Sequence, residues 1–370
     1  MRDHLLTLNA GSSSIKYALF ALDGVFTTPA EAGQVEGLGA GAMTHAQALR
    51  EVLAQLHATR VVAVGHRVVH GGSSFGEPVL IDEAVLDAIA QLQPLAPLHQ
   101  PHNVAGIRAA REAFAGVPQV ACFDTAFHRT QPEINQRFAL PQALHEAGVR
   151  RYGFHGLSYE SIRAQLLAAD ARTAQGRIVI AHLGNGASMC ALREAKSVAT
   201  TMSFSPLDGL PMGTRCGRLD AAVVLYLLQH DGRSADDISR LLHRESGLLG
   251  LSGLSSDVRE LLASGSPGAH LAIDYWVEQV LRELAALAAA LRGIDMLVFT
   301  GGIGENAAML RARIVEGAAW LGLKLDTQAN RRGHGVISAS DSAVTVQVLH
   351  TNEESVLARH TARVGLALPA

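Results

Sequence analysis

The sequence predicts an α/β protein in which one domain architecture occurs twice. A short apolar run, a glycine turn and a second apolar run occupy residues 5–20, a pattern typical of a β-hairpin. The same arrangement recurs at 178–192, where Gly184 aligns with Gly11. After each hairpin, β-branched runs alternate with helical patterns, as in a sheet with parallel strands. An internal duplication explains the two hairpins more economically than coincidence does.

Composition and charge limit the classes of function. The chain has 370 residues, of which 48% are hydrophobic and 18% charged, as in a globular protein of two domains. Lys and Arg number 31 against 34 for Asp and Glu, so the formal charge of −3 indicates neither a nucleic-acid nor a membrane partner. Cys122, Cys190 and Cys216 have no CxxC spacing and are expected to be buried thiols of a reducing compartment. With no signal-peptide core at the start, we expect a cytoplasmic location.

Local patterns predict the elements of the first half. Thr44 is predicted to cap a helix that ends near residue 58. Strands covered on both faces are predicted at 61–64 and 117–123, and polar residues follow each of them. Two helices are predicted between these strands, at 82–92 and 103–114.

The second half repeats the alternation. The run 296–299 predicts a buried strand that leads into helix extending to about residue 321, and 344–349 predicts the last strand. Thr351 is predicted to open a closing helix with acidic residues in its first turn. The helices predicted after the second hairpin cover 220–230, 236–244, 256–263 and 270–291.

The turn of the first hairpin has the residue types of a phosphate-binding loop. Gly11 allows close approach of the backbone to a ligand, and the three serines that follow it supply hydroxyl donors. Asn9 and Lys16 flank the turn with an oxygen ligand and a fixed cation, as a phosphate–metal site requires. The alternative is an ordinary Ser/Gly-rich turn. Recurrence of the motif downstream favours the binding site.

Nine stretches along the whole chain, in order, resemble the acetate kinase family, within the superfamily of actin, sugar kinases and Hsp70 ATPase domains. They are NAGSSSIK (9–16), GHRVVHGG (65–72), FDTAFH (123–128), YGFHGLSY (152–159), HLGNGAS (182–188), GLPMGTRCG (209–217), GLSSDVR (253–259), TGGIGEN (300–306) and TNEE (351–354). The resemblance implies two duplicated actin-like ATPase domains of ribonuclease H-like fold, with the active site in the cleft between them. It places the first domain at 1–126, with 354–370 returning to it as a C-terminal helix, and a nucleotide-binding, dimerising domain at 127–353.

The activity that the resemblance implies is reversible, ATP-dependent phosphorylation of acetate to acetyl phosphate. The cofactors would be ATP or ADP and Mg²⁺, with Mn²⁺ as the alternative metal, and the protein would be a homodimer. A kinase that prefers propionate or butyrate is the alternative within the same class, and a non-catalytic ATP-binding scaffold is the alternative outside it. A sugar kinase would instead need a general-base aspartate and a polar pocket.

The resemblance also assigns roles to individual residues. Asp124, His155 and Arg215 match catalytic positions, and we interpret Asp124 as ordering the metal's waters or Arg215 rather than as a general base. Arg67 matches the arginine that binds the substrate carboxylate. The acyl methyl group would contact Val69, Leu98, Phe154 and Pro206, and the metal would contact Asn9 and Glu353. The ATP-binding positions are Ser12, Ser14, Lys16, His182, Leu183, Gly184, Asn185, Gly186, Asp257, Val258, Arg259, Gly301, Gly302, Ile303, Gly304 and Glu305.

Simpler interpretations stay open for some of these residues. Arg67 has a surface ion pair as its alternative. For Asp257 and Arg259, the alternative to nucleotide binding is that they cap a helix at Ser255 or Ser256. Structural roles are expected for most of the histidines at 66, 70, 128 and 182. The chain departs from the family's pattern at Gln100, Tyr159 and Arg218, which leaves all the residues matched to the chemistry in place.

Overall fold

The computed structural model describes residues 3–11, 14–22, 26–38, 43–56 and 60–368. Its contacts divide the chain into two compact units. Unit 1 contains the described residues of Met1–Arg129, Phe154–Ser161 and Asn352–Ala370, and unit 2 contains Thr130–Gly153 and Ile162–Thr351. Packing therefore groups 154–161 with unit 1, which the predicted first domain did not include. The domain limits of 126 and 353 remain a prediction.

Unit 1 is built on a six-stranded mixed sheet with the order β3-β2-β1-β4-β6-β5. β1, β4 and β6 run parallel, whereas β2, β3 and the short β5 pair antiparallel to their neighbours. The strands are β1 (Asp3–Ala10), β2 (Ser14–Ala21), β3 (Glu31–Glu36), β4 (Arg60–Val68), β5 (Val79–Leu80) and β6 (Gln119–Phe123). The predicted hairpin is therefore β1–β2, closed by a hydrogen bond from the Gly11 N–H to the Ser14 carbonyl at 2.9 Å.

Helices cover both faces of this sheet. The first three are α1 (His45–Gln55), α2 (Glu83–Gln91) and α3 (Gln100–Ala113), and the last of the chain is α15 (Glu353–Gly365). As predicted, Thr44 caps α1, and it does so in a capping box with Gln47. α1 and α3 pack on one face, where Leu6, Leu8 and Val64 form a core with residues of both helices.

The other face of the unit 1 sheet packs against α15. Because alternate strand residues point to opposite sides, Leu5 and Ala63 lie on this face and form a core with Ala358 and Ala362 of the helix. The helix approaches β4 closely at Gly65, where an added Cβ would lie 2.0 Å from Thr361 Oγ1. This close packing fixes where the acidic start of α15 lies relative to the end of β4.

Unit 2 repeats the sheet of unit 1. Its order is β11-β12-β10-β7-β8-β9, with parallel pairing of β7, β10 and β12 and antiparallel pairing of the others. The strands are β7 (Arg177–Leu183), β8 (Ala187–Arg193), β9 (Lys196–Thr200), β10 (Met296–Thr300), β11 (Gly335–Val336) and β12 (Thr345–Val348). Identical topology in both units confirms the predicted duplication and the α/β fold class.

The remaining helices belong to unit 2, apart from one whose first residues, 156–161, belong to unit 1. They are α4 (Glu133–Gln136), α5 (Gln142–Glu146), α6 (Gly156–Ala169), α7 (Ala221–Gln229), α8 (Ala235–Arg244), α9 (Gly247–Ser252), α10 (Val258–Ala263), α11 (Pro267–Leu291), α12 (Gly301–Asn306), α13 (Ala308–Gly317) and α14 (Thr327–Arg332). α11 supplies much of the core, including the fully buried Trp276.

Two details of the predicted elements are wrong or incomplete. Asn352, not Thr351, caps α15, because its side chain accepts a hydrogen bond from the Ser355 N–H at 2.9 Å. The sequence patterns also missed β9 and the helices α4, α5, α6, α9 and α14. They missed the two-residue strands β5 and β11 as well, which are too short to produce a periodic signal.

Cys122 and Cys190 are buried, as expected, whereas Cys216 is half-buried. Within the described ranges, no helix combines the length and the apolarity needed to cross a bilayer.

Candidate active site

Arg67 and Asp124 form an ion pair at the carboxyl ends of two parallel strands of unit 1. Arg67 pairs with Cys122 across β4 and β6. Asp124 is the first residue after β6, so the two charged residues lie at the same end of the sheet. Arg67 Nε lies 3.1 Å from Asp124 Oδ1, and Nη2 lies 2.6 Å from Oδ2. The side chains are 20% and 2% exposed, so this is not the surface ion pair considered from the sequence. Arg67 is thus a partner of the Asp124 carboxylate, and the interpretation that Asp124 orders the metal's waters or Arg215 remains a prediction.

Glu353 completes a cluster of charge around Arg67. Its Oε2 lies 3.9 Å from Arg67 Nη1, and it is the first residue of α15. Burial alone would lower the pKa of the Arg67 guanidinium, but Asp124, Glu353 and Glu354 outweigh this and raise that pKa. The guanidinium is therefore a fixed cation, and it faces more carboxylates than its single charge balances.

Asn9 and Lys16 lie on the same face of the unit 1 sheet as Arg67. They are directly opposite each other in the β1–β2 pair. Strand alternation from Leu5 to Asn9 places Asn9 on the face that packs against α15. Lys16 also lines a cavity of about 420 Å³ together with Asn352 and Glu354. Ser14 is half-buried at the start of β2, and Ser12 lies outside the described residues.

The residues of unit 1 fit a magnesium ion held jointly with phosphates. No cluster of three or more His, Cys, Asp or Glu side chains suited to a metal occurs in the part of the chain that the structure describes. Mg²⁺ is usually bound by one or two protein carboxylates with substrate phosphates and water, so a closed protein cage is not required. Oxygen donors on Asn9 and Glu353, beside surplus negative charge, match that requirement.

Phe154, His155 and Gly156 pack against the end of β6. The Gly156 N–H donates to the Asp124 carbonyl at 2.9 Å, and an added Cβ on Gly156 would lie 2.2 Å from that oxygen. His155 has φ +59°, a left-handed conformation that non-glycine residues adopt chiefly in turns or functional sites. The half-buried His155 is therefore held next to Asp124 by its backbone.

The residues predicted to bind the acyl group divide between the units. Val69 is 9% exposed just beyond β4, and Phe154 is fully buried. His70 joins them, because its ring lies 5.4 Å from that of Phe154. Leu98 is half-buried in the link before α3, whereas Pro206 belongs to unit 2.

Asn103 positions this edge of the sheet and was missed in the sequence. Its side chain is 3% exposed, and its Oδ1 accepts from the Val69 N–H at 3.0 Å. Its Nδ2 donates to the Ala10 carbonyl at 2.8 Å. One amide therefore ties the end of β1 to the residue after β4. The sequence feature that could have identified Asn103 is its position in the apolar stripe of α3, in line with Ile107 and Ala110.

In unit 2, the glycine-rich segments matched to the nucleotide converge. A Cβ on Gly184 would lie 3.8 Å from the Gly302 nitrogen. A Cβ on Gly213 would lie 2.3 Å from Asn185 Oδ1 and 3.2 Å from the Ser256 carbonyl. Segment 182–186 thus lies between Gly302 on one side and Gly213 on the other, and Gly213, which the sequence analysis did not assign to the site, also contacts Ser256 directly before segment 257–259.

Arg215 lies on the loop that contains Gly213. Its Nη1 donates to the Pro206 carbonyl at 2.9 Å, and its own carbonyl accepts from the Met212 N–H at 3.0 Å. The structure therefore brings two of the predicted residues, Arg215 and Pro206, together within unit 2. The guanidinium is half-buried.

Glu305 shapes the glycine loop that follows β10. Its Oε1 accepts from the Gly301 N–H at 2.9 Å, and Oε2 lies 2.6 Å from His350 Nδ1. Gly301 itself is buried, with φ +79°. Because both carboxylate oxygens are engaged within unit 2, Glu305 holds the loop in shape. A direct contact with nucleotide remains a prediction.

Asp257 and Arg259 have the capping arrangement, but at a different residue from the one predicted. Asp257 itself caps α10, since its Oδ1 accepts from the Arg259 N–H at 2.8 Å. The Arg259 side chain, 90% exposed, hydrogen-bonds the same carboxylate and lowers the pKa of Asp257 to about 2. Neither Ser255 nor Ser256 is the cap. Nucleotide contact by 257–259 remains a prediction.

A model of the acetokinase family matches residues 4–359. The chain belongs to the acetokinase family. It is 51% identical to the acetate kinase of Methylocella silvestris, with 96% of each chain covered, and 48% identical to that of Rhodopseudomonas palustris. Among solved structures, a propionate kinase from Francisella tularensis matches with a TM-score of 0.88 at 36% identity, covering 98% of this chain and 100% of that one. Porphyromonas gingivalis acetate kinase matches with a TM-score of 0.86 at 35% identity, covering 98% and 99%.

Two of the departures from the acetokinase pattern are core residues. Gln100 is fully buried, and its Nε2 donates to the carbonyls of His70 and Ile89. Tyr159 is also fully buried, and its ring packs against His128. His128 Nε2 lies 2.9 Å from the Phe154 carbonyl, and burial lowers the pKa of His128 to about 4. The ring is therefore neutral and donates to that carbonyl, which is the structural role expected for it.

Proposed function

We propose that this chain phosphorylates acetate with ATP, reversibly, by direct transfer of the terminal phosphoryl group to the carboxylate. One observation carries the proposal, namely the fixed Arg67 guanidinium held between Asp124 and Glu353. An arginine in that position can donate hydrogen bonds to an incoming carboxylate, and the surplus negative charge of the neighbouring carboxylates suits a divalent cation. Membership of the acetokinase family and acetate kinase relatives at up to 51% identity support the same reaction.

The chemistry is one of positioning. Acetate is already an anion at neutral pH and needs no base, so the barrier comes from bringing two anions together. Two nitrogens of Arg67 are committed to Asp124, which leaves Nη1 to bind the substrate carboxylate. In the proposal, Val69, Leu98 and Phe154 of unit 1 border the acyl methyl group, and the contact with Pro206 of unit 2 remains a prediction from the family resemblance.

Asp124 acts through Arg67 in this proposal. A carboxylate that is buried and holds a guanidinium by two nitrogens orients that cation. His155 and Arg215 would donate to the oxygens of the transferring phosphoryl group, where preorganised donors are most effective.

Nucleotide and metal have proposed positions among the residues already described. ATP or ADP would be held by the converging glycine segments of unit 2, and the ATP contacts of Ser12, Ser14 and Lys16 remain predictions from the family resemblance. Asn9 and Glu353 would hold Mg²⁺, or Mn²⁺, together with the phosphates. The metal supplies charge neutralisation between the phosphates of ATP.

A preference for propionate is the second candidate. The similarity to a propionate kinase from Francisella tularensis favours it. One methylene is worth only about 1–3 kcal/mol in an apolar pocket. We therefore propose that acetate is preferred over propionate by a limited factor, roughly ten- to a hundredfold in kcat/KM.

We also propose that the protein is a cytoplasmic homodimer. Support for the dimer comes from α7, which exposes Val223, Leu225, Tyr226 and Leu228, between 39% and 60% each, and contributes no buried residue. Apolar surface of this kind is typical of an interface. Sedimentation velocity at micromolar concentrations tests the homodimer. A sedimentation coefficient of a monomer at all of these concentrations would contradict it.

The reaction itself is tested by trapping acyl phosphate with hydroxylamine. Purified protein is incubated with ATP and Mg²⁺ and with acetate, propionate or butyrate in turn. We expect acyl hydroxamate from acetate, less from propionate, and none in EDTA until excess Mg²⁺ is restored. No hydroxamate from any carboxylate, with either Mg²⁺ or Mn²⁺, would refute the proposed function.

A further inference from the structure

The loop that contains Arg215 closes at a narrow neck. Gly209 and Gly217 both have positive φ, and a Cβ on Gly217 would lie 2.7 Å from the Gly209 carbonyl. That carbonyl accepts a hydrogen bond from the Arg218 N–H at 2.9 Å. The loop therefore closes on itself at Gly209 and Arg218, and between these residues it also hydrogen-bonds to residues 242–249, as from the Cys216 N–H to the Leu242 carbonyl at 3.0 Å.

The side chain of Arg218 anchors this neck to α11. Its Nη2 lies 2.9 Å from Glu283 Oε1. Glu283 lies on the long helix α11 and its side chain is only 6% exposed, whereas that of Arg218 is 62% exposed. The arginine thus lies at the surface above a buried carboxylate. Carboxylates at such depth are rare unless they are paired, because desolvation penalises their charge.

The surroundings of Glu283 indicate that Arg218 is its principal counter-ion. Burial raises the pKa of Glu283, and Arg218 opposes that rise more strongly than Arg151 does. Asp208 adds repulsion and is itself held by a hydrogen bond from the Ser203 hydroxyl. Two arginines therefore balance two acidic groups beside the neck.

We propose that Arg218 is a positioning residue, which through Glu283 holds the neck of loop 209–218 and thereby places Arg215. The inference rests on the proposed function and deepens it.

The test compares variants of the pair with a matched control on the same helix. Arg218→Met and Glu283→Gln each remove the ion pair with little change of shape, and Arg218→Lys keeps the charge. The control is Arg282→Met, since Arg282 is 65% exposed and pairs with Glu278 at 3.0 Å on α11. Each protein is assayed by hydroxamate formation, and hydrogen exchange is followed in peptides that cover residues 209–218.

We expect Arg218→Met and Glu283→Gln to lower kcat about tenfold, because small displacements of a catalytic group are costly, with less than a twofold change in KM for ATP. Exchange should accelerate in peptides 209–218, and Arg218→Lys should recover most of kcat. If kcat and exchange match those of Arg282→Met, the inference is overturned. If Arg218→Met does not fold, Arg218→Lys and Glu283→Gln decide in the same way.

The two proposals fail differently. Wild-type protein that makes no acyl phosphate refutes the function, while the exchange measurement still reports whether Arg218 holds the loop. Active wild-type protein with unaltered Arg218 variants refutes only the positioning role.

Discussion

Arg67 shows how one side chain combines structural and chemical requirements. The Arg67 side chain is only 20% exposed to solvent, and Asp124 fixes its guanidinium through two nitrogens. Such a pair contributes little net stability, because desolvation offsets the attraction. Loss of one partner is different, since it leaves the other charge buried. The ion pair is therefore better understood as a device that orients Arg67 than as a source of stability.

We predict that Arg67→Met raises the KM for acetate by at least tenfold. It should also destabilise the fold, because Asp124 is left buried without its counter-ion, and removal of one partner of a buried pair costs about 3–5 kcal/mol. Arg60→Met is the control, because Arg60 begins the same strand and makes an exposed pair with Asp3. Steady-state kinetics and urea unfolding check this. An acetate KM equal to that of the control would remove Arg67 from the substrate site.

The acyl pocket gives a second prediction at this scale. Val69→Ala should shift the acetate-to-propionate ratio of kcat/KM towards propionate, by up to about tenfold, if Val69 borders the substrate methyl. The control is Val68→Ala, since Val68 is fully buried and packs with Phe123 and Ile89 on the other face of the sheet. It should lower stability and leave the ratio unchanged. Equal ratios in two folded variants would exclude Val69 from the pocket.

At the scale of elements, the glycine loop after β10 depends on a buried arginine. Arg311 of α13 is 1% exposed, and its Nη1 donates to the carbonyls of Gly304 and Glu305 at the end of α12. Its other nitrogens bind Asn330 of α14, through the side chain and the carbonyl. One side chain thus satisfies acceptors on two short helices, neither of which is long enough to be stable alone.

We predict that Arg311→Met raises the KM for ATP several-fold and lowers the melting temperature. Each acceptor left buried without a donor costs about 1–3 kcal/mol, and the loop loses its support. Arg313→Met is the control, because Arg313 lies on the same helix and makes an exposed pair with Asp274. Calorimetry and ATP titrations measure both effects. A melting temperature lowered with an unchanged KM for ATP would mean that Arg311 supports the fold alone.

At the scale of the whole molecule, two sheets of identical topology are covered by different helices. In unit 1 the helix on one face is α15, which comes from the far end of the chain, and its first turn brings Glu353 to the end of β4. Local pairing forms the hairpins, whereas this arrangement needs contacts between residues almost 300 positions apart.

Buried histidines give a prediction for the stability of the whole chain. Burial lowers the pKa of both His66 and His128 to about 4, from 6.5 for an exposed histidine. Each therefore stabilises the fold fully above pH 6.5, and this contribution is lost as the pH falls from 6.5 towards 4. The loss amounts to roughly 3 kcal/mol per histidine.

The free energy of unfolding, measured in urea at pH 7.5, 6.5, 5.5 and 4.5, should therefore fall steeply below pH 6.5. His66→Gln should reduce the slope by about one bound proton, or roughly 1.4 kcal/mol per pH unit. Replacement of His230, which is exposed, is the control. A slope that His66→Gln leaves unchanged would contradict a neutral buried ring at this position.

The sequence by itself determined the repeated hairpin, the long strands, and most helices, because these depend on local periodicity and capping. Thr44 and its helix illustrate this, as does the run at 296–299. The family motifs likewise identified Arg67, Asp124 and Glu353 as candidates. Their mutual contacts could not be predicted, since they lie on two strands and a distant helix.

Only the tertiary structure decided which side chains form hydrogen bonds and ion pairs with each other. The pairing of Asp124 with Arg67, the bridge made by Asn103 and the burial of Glu283 beneath Arg218 all join segments that are remote in sequence. Whether a polar side chain is buried depends on the packing of every surrounding element, and its partner is then whichever complementary group that packing brings within hydrogen-bond distance. Periodicity contains no information about such partners, so the chemical candidates come from the sequence and their arrangement from the fold.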